Sequence, residues 1–211
     1  MGIEARCWLL LEKSEETRIS KGIDGYRDRT GESYSYDSLV PNYKNIRSGD
    51  LVIIRKENSI IGYGEVGIIT QGDQIKVHRR CPDCNSTDIR PRKTKSPKWK
   101  CGKCAFEFPE PRETSDNVRA YEAAIESFVY FENPPNVRDV KSCASSDAGT
   151  HSQLSILKLE VQKLQPIMEG VELPTAWKRA GGRSSGQGIG LSYAERRAVE
   201  LHAMNAAADL Y

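Results

Sequence analysis

Leu51-Val-Ile-Ile-Arg55, a turn at Glu57-Asn-Ser, and Ile60-Ile-Gly-Tyr-Gly-Glu-Val-Gly-Ile-Ile69 decide the fold class of this chain. Two apolar, β-branched runs joined by a short polar turn predict a β-hairpin. Ser48-Gly-Asp50 makes the turn into the first run. Gly62, Gly64 and Gly67 in the second predict bulges or the close approach of another group. On the amino-terminal side, residues 5–11 (Ala-Arg-Cys-Trp-Leu-Leu-Leu) read as a buried strand and the polar residues 13–35 as loop. On the carboxy-terminal side, a short strand is expected from Gln74 to Arg79, an acidic, proline-bearing stretch at 105–117, and a strand within Arg119–Phe131. After a polar loop from Pro134 to His151, Leu154–Glu160 reads as a last strand, with a short helix to about Met168. Short strands with little helix predict an α+β class built on a small barrel over residues 1–168.

Four cysteines carry the clearest chemistry. Cys81-Pro-Asp-Cys84 and Cys101-Gly-Lys-Cys104 follow the spacing C-x2-C-x16-C-x2-C, which falls within that of four-cysteine zinc sites. Each pair turns two sulfurs onto one ion, and the spacer lets a hairpin return the second pair. Four thiolates close a tetrahedron, so one Zn2+ per chain would be structural. Disulfides or free thiols are the plain alternative. His78 lies three residues before Cys81, but with four thiolates present a ligand role is not expected of it. The resulting zinc ribbon, residues 76–108, interrupts the barrel.

The chain has 211 residues and a formal charge of only +2, so no global polycation argument applies. The distribution matters more. Between Lys76 and Lys103 ten Lys and Arg face two carboxylates, Asp83 and Asp88, and Trp99 sits inside this run. Arg90, Arg92, Lys93, Lys95 and Lys98 are candidate phosphate contacts, since cations at a hairpin tip displace counterions from nucleic acid. A solvated lysine loop is the bland alternative. No run of 18 apolar residues occurs, the amino terminus lacks a signal-peptide pattern, and a reducing cytoplasm is the expected compartment. No membrane partner is expected.

After Trp177 the composition changes. Residues 169–191, with Ala180-Gly-Gly-Arg-Ser-Ser-Gly-Gln-Gly-Ile-Gly190, read as a linker. They lack the Gly-Lys-Ser/Thr ending of a phosphate-binding loop. Ser192-Tyr-Ala-Glu195 is a capping box that opens a helix over 192–211. That helix reads as the lead into a further domain.

Two stretches carry a resemblance. Tyr34-Ser-Tyr-Asp-Ser-Leu-Val-Pro-Asn-Tyr, Ile46-Arg-Ser-Gly-Asp-Leu-Val-Ile-Ile-Arg and Gly62-Tyr-Gly-Glu-Val resemble the PUA-like superfamily, specifically EVE-type domains. Closer still are the amino-terminal domains of bacterial modification-dependent restriction proteins in which a four-cysteine ribbon interrupts the barrel. Gly186-Gln-Gly-Ile-Gly-Leu-Ser-Tyr-Ala-Glu-Arg-Arg-Ala-Val-Glu-Leu-His-Ala-Met204 is similar to the lead-in of a nuclease-like domain beside restriction and defence modules. The resemblance implies a pocket between the first strand, the 34–42 loop and the segment leading to Leu154. A flipped, modified base needs aromatic faces and polar edge readers. Trp8, Tyr34 and Tyr36 would supply the faces; Asp37, Ser38, Asn42, Gln153 and Ser155 would read the edge. Trp8 as core and Asp37-Ser38 as a helix cap are the alternatives. The resulting expectation is a non-catalytic specificity module of a restriction or phage-defence nuclease. It would bind double-stranded DNA with a modified base, and cleavage would reside in a domain after residue 211. A reader of modified RNA, or a protein–protein adaptor docking through the ribbon, are the other readings.

Overall fold

A computed structural model describes residues 6–18, 20–146 and 154–168. The expected linker and terminal helix, residues 169–211, lie outside the described residues, as does Gln153. The strands are β1 (Cys7–Glu12), β2 (Ser33–Asp37), β3 (Leu51–Lys56), β4 (Ser59–Arg80), β5 (Ile89–Pro91), β6 (Trp99–Cys101), β7 (Glu107–Phe108), β8 (Arg112–Tyr130) and β9 (Ile156–Leu159). Helix α1 (Val137–Ser142) precedes β9; α2 (Val161–Leu164) and a 3-10 turn (Gln165–Met168) follow it. The class is mostly-strand α+β.

Six strands form one sheet in the order β2-β8-β4-β3-β1-β9, and β5-β6-β7 form a second, small one. The predicted hairpin is β3–β4, antiparallel, with Glu57 in a left-handed conformation at its turn. β1 runs parallel to β3, while β9 pairs antiparallel with β1. Successive residues of β1 go to opposite sides of the sheet. Cys7 and Leu9 join a core with Leu51, Ile53, Tyr63, Val140, Leu157 and Leu164. Trp8 and Leu10 join a second core with Tyr34, Tyr36, Val52, Ile54 and Val66. Both faces are covered, which is why β1 and β3 read as unbroken apolar runs rather than alternating ones. Burial on both sides provides the main driving force, at roughly 25 cal/mol per Å2 of apolar surface.

The glycines of β4 behave as expected. Pairing with β8 slips between Tyr63 and Glu65 and again between Val66 and Ile69, at Gly64 and Gly67. A Cβ on Gly64 would lie 2.8 Å from Ile125 Cγ2, inside van der Waals contact. Beyond the second bulge the pairing is continuous from Ile69 opposite Ala123 to Arg80 opposite Arg112. The short strand expected at Gln74–Arg79 is therefore the far part of a 22-residue β4. The exit stretch expected at 105–117 becomes strand from Arg112 onward, because each residue finds a partner on β4. Within the loop expected at 134–151, Asn136 accepts the Arg138 N–H at 2.8 Å and starts α1.

The four-cysteine lobe, residues 81–111, closes the end of this two-stranded arm. A brace holds it from the side. Arg79 N–H donates to Gly22 O at 2.6 Å, Ile23 bridges His78, and Lys21 N–H donates to Ile89 O at 2.9 Å. The strand pattern of the sequence predicts a barrel. Among the described residues the large sheet does not close, and β2 and β9 are its edges.

Candidate metal centre and the cleft beside the arm

Cys81, Cys84, Cys101 and Cys104 bring their sulfurs within 4.8 Å of one another. The Sγ separations are 3.7 Å for Cys81–Cys104 and 3.5 Å for Cys84–Cys101. A disulfide would need about 2.0 Å, and all four are free thiols. The edge of a tetrahedron with metal–sulfur bonds of 2.3 Å is roughly 3.8 Å, so the donor set fits a thiophilic ion. The two knuckles are built alike. Cys81 N–H donates to Ser86 O and Cys101 N–H to Phe106 O, each at 2.8 Å. The residue after each second cysteine is left-handed, Asn85 at φ 60° and Ala105 at φ 61°. At the second knuckle the Lys103 and Cys104 amides point at Cys101 Sγ, at 3.3 and 3.5 Å. Burial works to raise the Cys101 thiol, but those amides and the neighbouring thiols bring it down to about 7. His78 is not part of the group. It is 6% exposed, and neither ring nitrogen has a hydrogen-bond partner among the described residues. Its Nε2 lies 3.4 Å from Asp116 Oδ2 without hydrogen-bond geometry.

The five expected phosphate contacts divide. Lys93, Lys95 and Lys98 are exposed and pair with no carboxylate among the described residues; Lys98 lies 6.0 Å from the Trp99 ring centroid. Arg90 is exposed but leans on Asp88 at 3.4 Å. Arg92 is turned inward, bonding Pro97 O at 3.0 Å and Glu107 at 2.6 Å. It holds the β5–β6 turn, because a guanidinium fork satisfies two acceptors at once.

The expected base-pocket residues do not converge on one cavity. Trp8, Tyr34 and Tyr36 are 1–2% exposed and belong to one apolar core. Trp8 donates to Asp50 at 2.8 Å, and the Tyr34 hydroxyl donates to Ser155 O at 3.2 Å. Tyr36 stacks on Tyr121 with ring centroids 5.1 Å apart. Asp37 is also buried, but its partners are Tyr26, the Leu39 N–H and Lys76. Adjacent strand residues face opposite sides, so Tyr36 and Asp37 are parted by the sheet. Ser38 Oγ accepts the Arg119 N–H at 3.2 Å, and Asn42 donates to Ile156 O at 3.0 Å. These side chains hold the fold.

The open concavity lies beside β2, and of the described residues expected in a base pocket Tyr36 alone is in its lining. Loop 25–29 crosses over strands β2, β8 and β4 and leaves a cleft of about 820 Å3, lined by Tyr26, Arg27, Asp28, Ser35, Gln74 and Glu122 among others. That volume falls in the general range of small-molecule sites. Asp28 accepts the Ser35 N–H at 2.9 Å; burial, against that hydrogen bond, raises its carboxyl from 3.8 to about 6. Arg27 is exposed, and its side chain pairs with no described residue. This wall is not legible in the sequence, because residues 13–35 show no periodicity. The glycines at 22, 25 and 31 were its only signal.

No protein-family model, curated protein or solved structure matches the chain. Among the described residues no helix is long and apolar enough to cross a membrane.

Proposed function

We propose that this chain is a nucleic-acid-binding specificity module with a structural zinc ion, of the PUA-like, EVE-type kind. In this reading it serves a bacterial restriction or phage-defence nuclease and reads a modified base in double-stranded DNA. One observation carries it: Lys93, Lys95 and Lys98 stand without carboxylate partners on a cysteine-pinned lobe at the end of a braced arm. Unpaired, exposed cations on a rigid tip suit a phosphate backbone, whose binding energy comes from counterion release. Phosphate contacts position a protein and base contacts specify. The base would enter the cleft under loop 25–29, where Asp28, Ser35 and Gln74 offer edge-reading groups. Zn2+ held by Cys81, Cys84, Cys101 and Cys104 would fix the lobe and take no part in chemistry. The adaptor reading is weaker, because the lysines make the tip polar.

The test is a binding screen of the full chain against duplexes that differ only in base modification, each at several salt concentrations. A preference for one modification with a steep salt slope is expected. Equal affinity for all duplexes removes the base-reading part. Preference for single-stranded RNA over every duplex favours the RNA module, and absence of binding at low salt removes the nucleic-acid reading.

A further inference from the structure

Arg80 and Arg112 face each other as the last pair of the β4–β8 ladder. Like charges directly opposite on a ladder repel. The other arginines of the arm are neutralised: Arg79 by Asp24 at 2.6 Å and Glu113 at 3.2 Å, Arg119 by Asp73 at 3.2 Å. Arg80 and Arg112 have no carboxylate partner among the described residues. Neutral oxygens orient them instead. Arg80 Nε donates to Thr114 Oγ1 and its Nη1 to Asn85 O, both at 3.3 Å, while Arg112 Nη2 donates to Asn85 Oδ1 at 2.6 Å. Asn85 follows Cys84 in the left-handed turn of the first knuckle. The cysteine centre thus sets the one residue that aims both guanidiniums. A guanidinium has five N–H donors, so most of theirs remain open.

We infer that Arg80 and Arg112 form a two-fork clamp for one phosphate, at the root of the lobe. The clamp rests on the nucleic-acid reading for its natural ligand, a backbone phosphate. The geometry favours it over an isolated lysine: two planar forks, both bonded to Asn85, recognise a tetrahedral anion through paired charge-assisted hydrogen bonds. A phosphate also removes the repulsion that the ladder otherwise imposes. The competing role is purely internal. Four thiolates around a divalent ion carry two negative charges, and nearby arginines could serve only to offset them.

The experiment uses the full, zinc-loaded chain and an unmodified fluorescent duplex, read by anisotropy across a salt series. Arg80→Gln with Arg112→Gln keeps polar contact to Asn85 but removes both charges. The clamp predicts about tenfold weaker binding, in line with the strength of charge-assisted bonds. The log–log salt slope should become shallower by about 0.9, the value for one phosphate, while zinc release to a chromogenic chelator stays unchanged. An unchanged affinity and slope, with or without faster zinc release, overturns the clamp. Arg80→Lys with Arg112→Lys retains charge without the forks; it should keep the slope and lose part of the affinity. Titration of inorganic phosphate, followed through the arginine Nε–H resonances of the unmutated chain, gives an independent reading. Saturable shifts confined to Arg80 and Arg112 in a chain that binds no duplex would support the clamp and discard the nucleic-acid reading. A steep salt slope that the glutamine pair leaves untouched would do the reverse.

Discussion

The Trp8 indole N–H donates to Asp50 Oδ2 across 2.8 Å, and both side chains are buried. This bond ties the first strand to the turn that launches β3. Arg6 and the Arg47 N–H converge on the same carboxylate, at 2.9 and 2.8 Å. Burial still holds the Asp50 carboxyl above its ordinary value, against those donors. Trp8→Phe keeps most of the volume and removes one donor from a buried charge. It should cost about 2 kcal/mol of stability and leave any preference between duplexes unaltered. Urea unfolding and duplex binding on the same sample check this; lost preference at full stability would return Trp8 to the binding site.

Purified without chelator, the chain should carry one zinc. Cys84→Ser should abolish it, because three thiolates leave the tetrahedron open. Structural zinc contributes on the order of 10 kcal/mol to such small lobes, so the lobe should unfold locally. The β1–β3–β4 pairing does not pass through it and should persist. Elemental analysis and far-ultraviolet circular dichroism read the two effects separately.

Ala105 occupies a left-handed conformation at φ 61°, which costs an L-residue with a Cβ roughly 1–2 kcal/mol. Ala105→Gly should relieve most of this, less the extra freedom glycine gains when unfolded. A slower release of metal to a competing chelator is the expected sign. A faster release would mean that the Ala105 methyl packs usefully.

The Asp28 carboxyl, raised by burial from 3.8 to about 6, makes stability depend on pH. Between about pH 4 and 6 the folded chain holds a proton that the unfolded chain has released. The slope of stability with pH is therefore negative in that window and flat above it, as far as this group is concerned. Asp28→Asn can still accept the Ser35 N–H and should be the more stable form near pH 7.5. The gain should vanish near pH 4. Denaturant midpoints of both forms across that range decide the matter.

Arg27 lines the cleft with no side-chain partner among the described residues. Arg27→Ala should therefore change stability by less than about 0.5 kcal/mol. If the cleft takes the base, affinity for the preferred duplex should fall several-fold more than affinity for the plain one. Equal losses on both would make Arg27 a phosphate contact instead.

Local chemistry was readable from the sequence, and cross-chain geometry was not. The cysteine spacing alone points to a four-sulfur cluster, since two tight turns allow little else. The β3–β4 hairpin is equally plain, while Gly62, Gly64 and Gly67 read only as bulges or close approaches; the register slips fall at Gly64 and Gly67. Trp8, Tyr36 and Asp37 were harder, because an aromatic beside an acid reads the same in a pocket and in a core. Only the pairing of β2 with β8 shows that Tyr36 and Asp37 face apart. The Arg80–Arg112 pair was invisible for the same reason. The two residues are separated by the whole lobe and meet only through the register of a ladder.

The brace of residues 21–23 against β4 and β5 has a mechanical consequence. A free two-stranded ribbon twists and bends, but one tied along its side behaves as a strut. Gln74 in the cleft wall and Arg80 at the lobe lie six residues apart on one unbroken strand, about 20 Å at the usual rise. On a duplex that is roughly six base steps of 3.4 Å. In the proposed nucleic-acid reading, the molecule would act as a gauge, fixing how far an inspected base lies from the phosphate that anchors it. Lengthening β4 and β8 by two residues each, with two residues added between Ile23 and Gly25 to keep the brace, should move that distance by about two base steps.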